Sequence, residues 1–89
     1  MTIYKYELEV TDEQIVLLPK EAKILCVQEQ HGGPKLWALL NPEEPLEPRL
    51  IRTCGTGHLI KDIKRLHYLG TYQLHNGTLV FHVFEDKRS

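Results

Sequence analysis

Serine is all but missing from this 89-residue chain: the one present, Ser89, is its last residue. A serine nucleophile needs a base and an orienting group packed around it, which a chain end does not supply. Cysteine is scarce too. Cys26 and Cys54 form no CxxC, and no HxH pair accompanies them, so neither a disulfide framework nor a structural zinc site has its usual spacing. No apolar run is long. Ile15–Leu18 and Leu36–Leu40 fall far short of the roughly 20 residues a membrane helix requires. Nor does one charge dominate. Eleven Lys and Arg against twelve Asp and Glu give a formal net charge of −1, which excludes the basic footprint of a protein that holds a long nucleic acid. The chain opens without a charged, apolar, small-residue leader, and the expected location is the cytoplasm.

What is present describes one globular domain: 42% hydrophobic residues and 26% charged ones. The expected boundaries are a single β-rich domain over residues 1–85 and a frayed charged tail over 86–89. A domain this small leaves much of its surface exposed, and self-association relieves that, so a homo-oligomer is expected.

The strands are legible in order. Ile3–Val10 alternates apolar and charged residues, the period-two pattern of a sheet with one wet face. Ile15–Leu18 is a short second strand closed by Pro19, which cannot donate to a ladder. Ile24–Gln30 and Lys35–Leu40 form a third and a fourth around a His31-Gly32-Gly33-Pro34 turn. A four-residue loop there sets Gln30 opposite Lys35, Gln28 opposite Trp37 and Cys26 opposite Leu39. Leu25, Val27, Leu36, Ala38 and Leu40 then share the core face. The other face holds Trp37, Leu39 and Cys26, too apolar for solvent alone, so Trp37 and Leu39 are the expected interface residues. Asn41–Pro48, with three prolines and three acids, reads as an extended surface loop. Leu50–Cys54 is the fifth strand, and one or two helical turns fit the spacing of Leu59, Ile60, Ile63 and Leu66. Tyr68–His75 and Thr78–Phe84 flank Asn76-Gly77, the pair favoured by a type I′ hairpin turn. That register puts Leu74 against Leu79, Tyr72 against Phe81, Gly70 against Val83, Thr71 against His82 and Leu69 against Phe84. The fold class is therefore mainly β: a small antiparallel barrel or sandwich of about six to seven short strands, with one short helical turn.

The densest group of special residues is Gly55-Thr56-Gly57-His58. A Walker loop needs GxxxxGK with Ser or Thr after it, and a dinucleotide loop needs GxGxxG opening a helix; neither is here. A turn after a strand is the commoner origin of such a bare glycine pair. Yet the Thr56 hydroxyl, exposed amides around Gly57, the His58 imidazole and the nearby Lys61 have the makings of an anion pocket, with Thr71 and His82 as neighbours on the hairpin. Cys54 with His58 or His82 has the residue types of a nucleophile and base, but no third, orienting group is identifiable. The histidines lack metal spacing, and no metal or other cofactor is expected.

Ile3-Tyr4-Lys5-Tyr6-Glu7-Leu8, Leu36-Trp37-Ala38-Leu39, Gly55-Thr56-Gly57-His58 and Leu79-Val80-Phe81-His82-Val83-Phe84-Glu85 together resemble a family of small proteins. Its members are encoded in bacteriophages, prophages and bacterial genomes, and it is known as a domain of unknown function. The resemblance spans nearly the whole chain and implies a phage or mobile-element setting in a bacterial host cell; it implies no particular activity. The expectation is a non-enzymatic binding protein that inhibits a bacterial defence system, either by blocking a host defence protein or by sequestering a small anionic, nucleotide-like signal. Two alternatives stay open: a structural or accessory phage protein without ligand, and a small metal-dependent or cysteine enzyme.

Overall fold

The computed structural model of the chain describes residues 1–88; Ser89 lies outside the described residues. Seven strands follow one another: β1 (Thr2–Glu7), β2 (Glu13–Pro19), β3 (Lys23–Gln30), β4 (Gly33–Leu40), β5 (Leu46–Gly55), β6 (Leu66–Leu74) and β7 (Leu79–Asp86). A single 3₁₀ turn at Ile63–Arg65 is what becomes of the expected helical turns. The strands form two antiparallel sheets, one in the order β1-β4-β3 and one in the order β2-β5-β7-β6.

The sheets face each other over one core, to which β4 and β3 contribute Leu36, Ala38, Leu40 and Val27. The opposite sheet adds Val16, Leu18, Ile51, Tyr72 and Val83. Leu18, Leu36, Leu40 and Ile51 are wholly buried, each stabilising the fold by about 1.5–3 kcal/mol relative to an exposed side chain. Tyr72 is 3% exposed, and its hydroxyl has no hydrogen-bond partner among the described residues. Burial pushes its phenol above the ordinary tyrosine value. Tyr72→Phe removes a desolvated polar atom and keeps the ring, so a rise in stability of about 1 kcal/mol is expected in urea unfolding. A loss of stability would show that the hydroxyl is held.

Three features of β3, β4 and β5 differ from the sequence expectation. The β3–β4 loop is two residues, not four. His31 and Gly32 both take positive φ (55° and 82°), so Gly33 and Pro34 become strand residues paired with Gln30 and Glu29. Glycine adopts that region freely, and histidine is among the side chains that tolerate it. Cys26 therefore faces Trp37, not Leu39, and Gln28 faces Lys35. Second, a bulge between Ile24 and Cys26 turns Leu25 outward, 43% exposed, and packs Ile24 on the core instead. Third, β5 begins at Leu46, so Leu46, Glu47 and Pro48 are strand rather than loop. Pro48 pairs with Leu17 of β2, while the β7 ladder starts only at Leu50. With a strand on one side alone, the setting is edge-like, and proline is tolerated there.

The final hairpin keeps its expected register from Leu74–Leu79 to Gly70–Val83 and then slips by one at a bulge between Tyr68 and Gly70. Asn76 and Gly77 carry the positive φ values of a type I′ turn, and the Thr78 N–H donates to the His75 carbonyl at 3.2 Å. At its other end β7 continues through Asp86. That is one residue into the expected tail, and both Glu85 and Asp86 are buried. Arginine explains this. Arg49 grips Glu85 through both Nε and Nη2 (2.5 and 3.0 Å) and donates from Nη1 to the Ala22 carbonyl at 2.9 Å.

Candidate functional site

On the outer face of the four-stranded sheet, strand register alone brings three side chains into a row. His82 of β7 lies opposite Cys54 of β5 on one side and Thr71 of β6 on the other. Beyond Cys54 the chain makes one more ladder contact, from the Thr56 N–H to the Val80 carbonyl at 3.3 Å. It then turns back, with the His58 N–H donating to the Gly55 carbonyl at 3.1 Å. Gly57 sits at φ 89° at the third position of that turn, where a side chain is strained and glycine is not.

The result is a continuous polar row. Thr56 Oγ1 lies 2.5 Å from His82 Nε2, Thr71 Oγ1 lies 3.0 Å from His82 Nδ1, and the Tyr68 hydroxyl lies 2.5 Å from Thr71 Oγ1. Both ring nitrogens of His82 are thus engaged by hydroxyls, which fixes the imidazole plane against the sheet. Thr56, Thr71 and Tyr68 are exposed. Tyr68 stands edge-on to Phe84, ring centroids 5.7 Å apart, with 61% of its surface in solvent.

Of the expected site residues, the structure brings Thr56, Thr71 and His82 together. Gly57 forms the turn beside them. His58 goes elsewhere: its ring lies over Gly55, where a Cβ would come within 3.0 Å of Cε1, and lines a hollow with Asp12, Thr53 and Leu59. Lys61 is exposed in the segment after the turn and makes no ion pair or hydrogen bond among the described residues. Trp37 and Leu39 lie half-buried on the outer face of the other sheet, with Ile3, 55% exposed, directly across from Leu39. Tyr68 is the member that the sequence did not suggest. The bulge before Gly70 rotates Tyr68 onto the His82 face, opposite Phe84. A lone glycine inside a strand pattern is the usual sign of such a bulge, and it was there to be read.

The same outer face holds a charged cluster. Arg52, Arg65 and Arg88 all reach the Asp86 carboxylate, at 3.5, 3.2 and 3.2 Å, and Arg52 and Arg88 also approach Glu13. Burial alone would raise the Asp86 carboxyl. The hydrogen bonds and charges of Arg65 and Arg88 outweigh it and hold the group below the ordinary aspartate value. Asp62 lies 3.4 Å from Arg65 as well, so three arginines and three carboxylates form one charge-balanced network beside the row. Among the described residues, no three His, Cys, Asp or Glu side chains gather as a metal ion would require, and no helix is long and apolar enough to cross a membrane.

Residues 1–89 match the family described as a domain of unknown function (DUF7352), and the chain belongs to that family. No curated protein and no solved structure matches it.

Proposed function

We propose that this member of the family is a non-enzymatic binding protein whose site is the Thr56–His82–Thr71–Tyr68 row. Its ligand in this reading is a small anionic, nucleotide-like molecule. The observation that carries the reading is the row itself: two threonine hydroxyls, an imidazole and a phenol held in line at the surface by three elements. Hydroxyls presented this way donate to phosphate oxygens, and the exposed Tyr68 face suits stacking of a base. The phage or mobile-element setting rests on the sequence resemblance, and with it the reading that the protein sequesters a signal of a bacterial defence system.

Titration calorimetry with a cyclic dinucleotide, ADP-ribose and inorganic phosphate tests this. One of the two nucleotides is expected to bind, and Thr71→Val with His82→Asn to weaken it by about tenfold or more, the effect of losing one or two hydrogen bonds to a charged ligand. His58→Ala, on the far side of Gly55, is expected to bind nearly as well as the native protein. Absence of binding across the panel, or equal binding by the double variant, overturns the proposal. A second reading has its own support. The outer face of β1 and β4, with Ile3, Trp37 and Leu39, is apolar enough to seat a protein. That arrangement suits a blocking or accessory protein without a small ligand.

A further inference from the structure

We infer that β2 is a pairing edge and that two copies of this chain join through it, antiparallel, about a two-fold axis at Val16. The sandwich is closed on one side only. There β6 crosses close to β3, and a Cβ on Gly70 would lie 2.1 Å from the Val27 carbonyl oxygen. On the opposite side β1 and β2 are the free edges, and among the described residues β5 is the one partner strand of β2.

Natural edge strands are normally blunted by an inward charge, a lysine, a bulge or a proline within the strand. β2 carries none of these between Gln14 and Leu18, and its only proline is its last residue, Pro19. It is instead apolar on both faces. Val16 and Leu18 are buried in the core, and Ile15 and Leu17 are 65% and 54% exposed on the outside. Their neighbours on β5, Leu50 and Pro48, with Leu46 beyond at 62% exposure, extend this into an apolar strip along the edge.

The sequence of β2 and its flanks is complementary to itself. A two-fold axis at Val16 sets Ile15 against Leu17 of the second copy, and Leu17 against its Ile15. It sets Gln14 against Leu18 and Glu13 against Pro19. One step further out, Asp12 of each copy meets Lys20 of the other, and both residues are exposed. Apolar pairs thus occupy the centre and opposite charges both ends, in one register. A shift by one residue would place outward side chains against inward ones, so the pattern selects this register over its neighbours. The two four-stranded sheets become one sheet of eight, and β2 gains the backbone hydrogen bonds that its edge lacks. This pairing leaves the Thr56–His82 row uncovered and is independent of what that row binds.

Sedimentation equilibrium on the whole chain, with two double variants at the exposed positions, tests the inference. The native protein is expected to sediment at twice its chain mass. Ile15→Lys/Leu17→Lys sets like charges against each other across the axis, and the dimer is expected to weaken by about tenfold or more. Ile15→Lys/Leu17→Glu introduces as many charges, but pairs Lys with Glu across the axis, and the dimer is expected to return. Circular dichroism confirms that both variants fold. A monomeric native protein, a dimeric Lys/Lys variant, or a Lys/Glu variant as monomeric as Lys/Lys would each overturn the assignment. Amide exchange gives a separate reading: protection over residues 13–19 is expected to rise with protein concentration, and its constancy would count against the pairing.

Discussion

Arg49→Ala is expected to cost about 3–5 kcal/mol, the loss typical when one partner of a buried ion pair is removed, which is a large part of the whole stability of a small domain. The side chains of Arg49 and Glu85 are 12% and 7% exposed. Truncation leaves the buried Glu85 carboxylate to the half-exposed Lys87, 3.5 Å away, and releases the Ala22 carbonyl, which ties the β2–β3 connection to β5. Glu85→Gln is expected to cost less, because its amide oxygen still accepts from the guanidinium. Acid supplies an independent check. Burial alone would raise the Glu85 carboxyl, but the hydrogen bond and charge of Arg49, with help from Lys87, hold it below its ordinary value of 4.5. A carboxyl whose folded pKa is depressed stabilises the fold above its unfolded pKa, and that contribution fades as pH falls through the folded one. The native protein should therefore lose stability below about pH 4.5, on the unfolded reference value. The gap between native and Arg49→Ala should narrow there, since a neutral Glu85 no longer needs its arginine. Chemical unfolding at pH 7 and pH 3 measures this, and an unchanged gap would mean that the ion pair contributes little.

Gly70→Ala is expected to be the most damaging single methyl group in the molecule. Its Cβ would sit 2.1 Å from the Val27 carbonyl oxygen and 3.1 Å from the Val27 carbonyl carbon and amide nitrogen. All three are backbone atoms of β3, so no rotamer change relieves the overlap, and β3 and β6 must separate. Overpacking usually costs about 1–3 kcal/mol, and this contact, rigid on both sides, belongs at or above the upper end. Hydrogen exchange should show lost protection in β3 and β6 first, with β2 and β5 following only on global unfolding. Uniform loss across all seven strands would argue that Gly70 supports the whole sandwich rather than its closed side.

Side-chain facing was readable in the sequence to a greater extent than loop length. The β3–β4 turn is shorter than expected by two residues, yet Trp37 and Cys26 still share the outer face, and Val27 and Leu36 the inner one. An error of two in register is invisible to a pattern whose period is two. Errors of one are not. The bulges at Leu25 and Leu69 each reverse the side chains beyond them, and these made the differences that matter: Ile24 in place of Leu25 on the core, and Tyr68 on the His82 face. The burial of the charged end has another cause. Glu85 and Asp86 look solvated in isolation, and only the fold shows that Arg49, Arg52, Arg65 and Arg88 converge on them. Thr71 beside His82 followed directly from the Asn76-Gly77 turn. That Thr56 and not His58 would meet them could not be read, because a turn's exit direction depends on what lies across from it, here Val80 on one side and Asp12 on the other.

A hydroxyl is both donor and acceptor, and His82 has one at each ring nitrogen. When the imidazole is neutral, one threonine receives its N–H and the other gives an O–H to the bare nitrogen. When it is protonated, both threonines receive. Only hydroxyl hydrogens need rotate between these arrangements, and no heavy atom need move. Where the neutral ring carries its hydrogen on Nε2, Tyr68 at the far end inherits the change, because the Thr71 hydrogen freed from Nδ1 turns toward its phenol oxygen. In that tautomer the polarity of the Thr71–Tyr68 end reverses with a single proton, and the sense in which Tyr68 meets a neighbouring molecule, as donor or as acceptor, is set two groups away at His82.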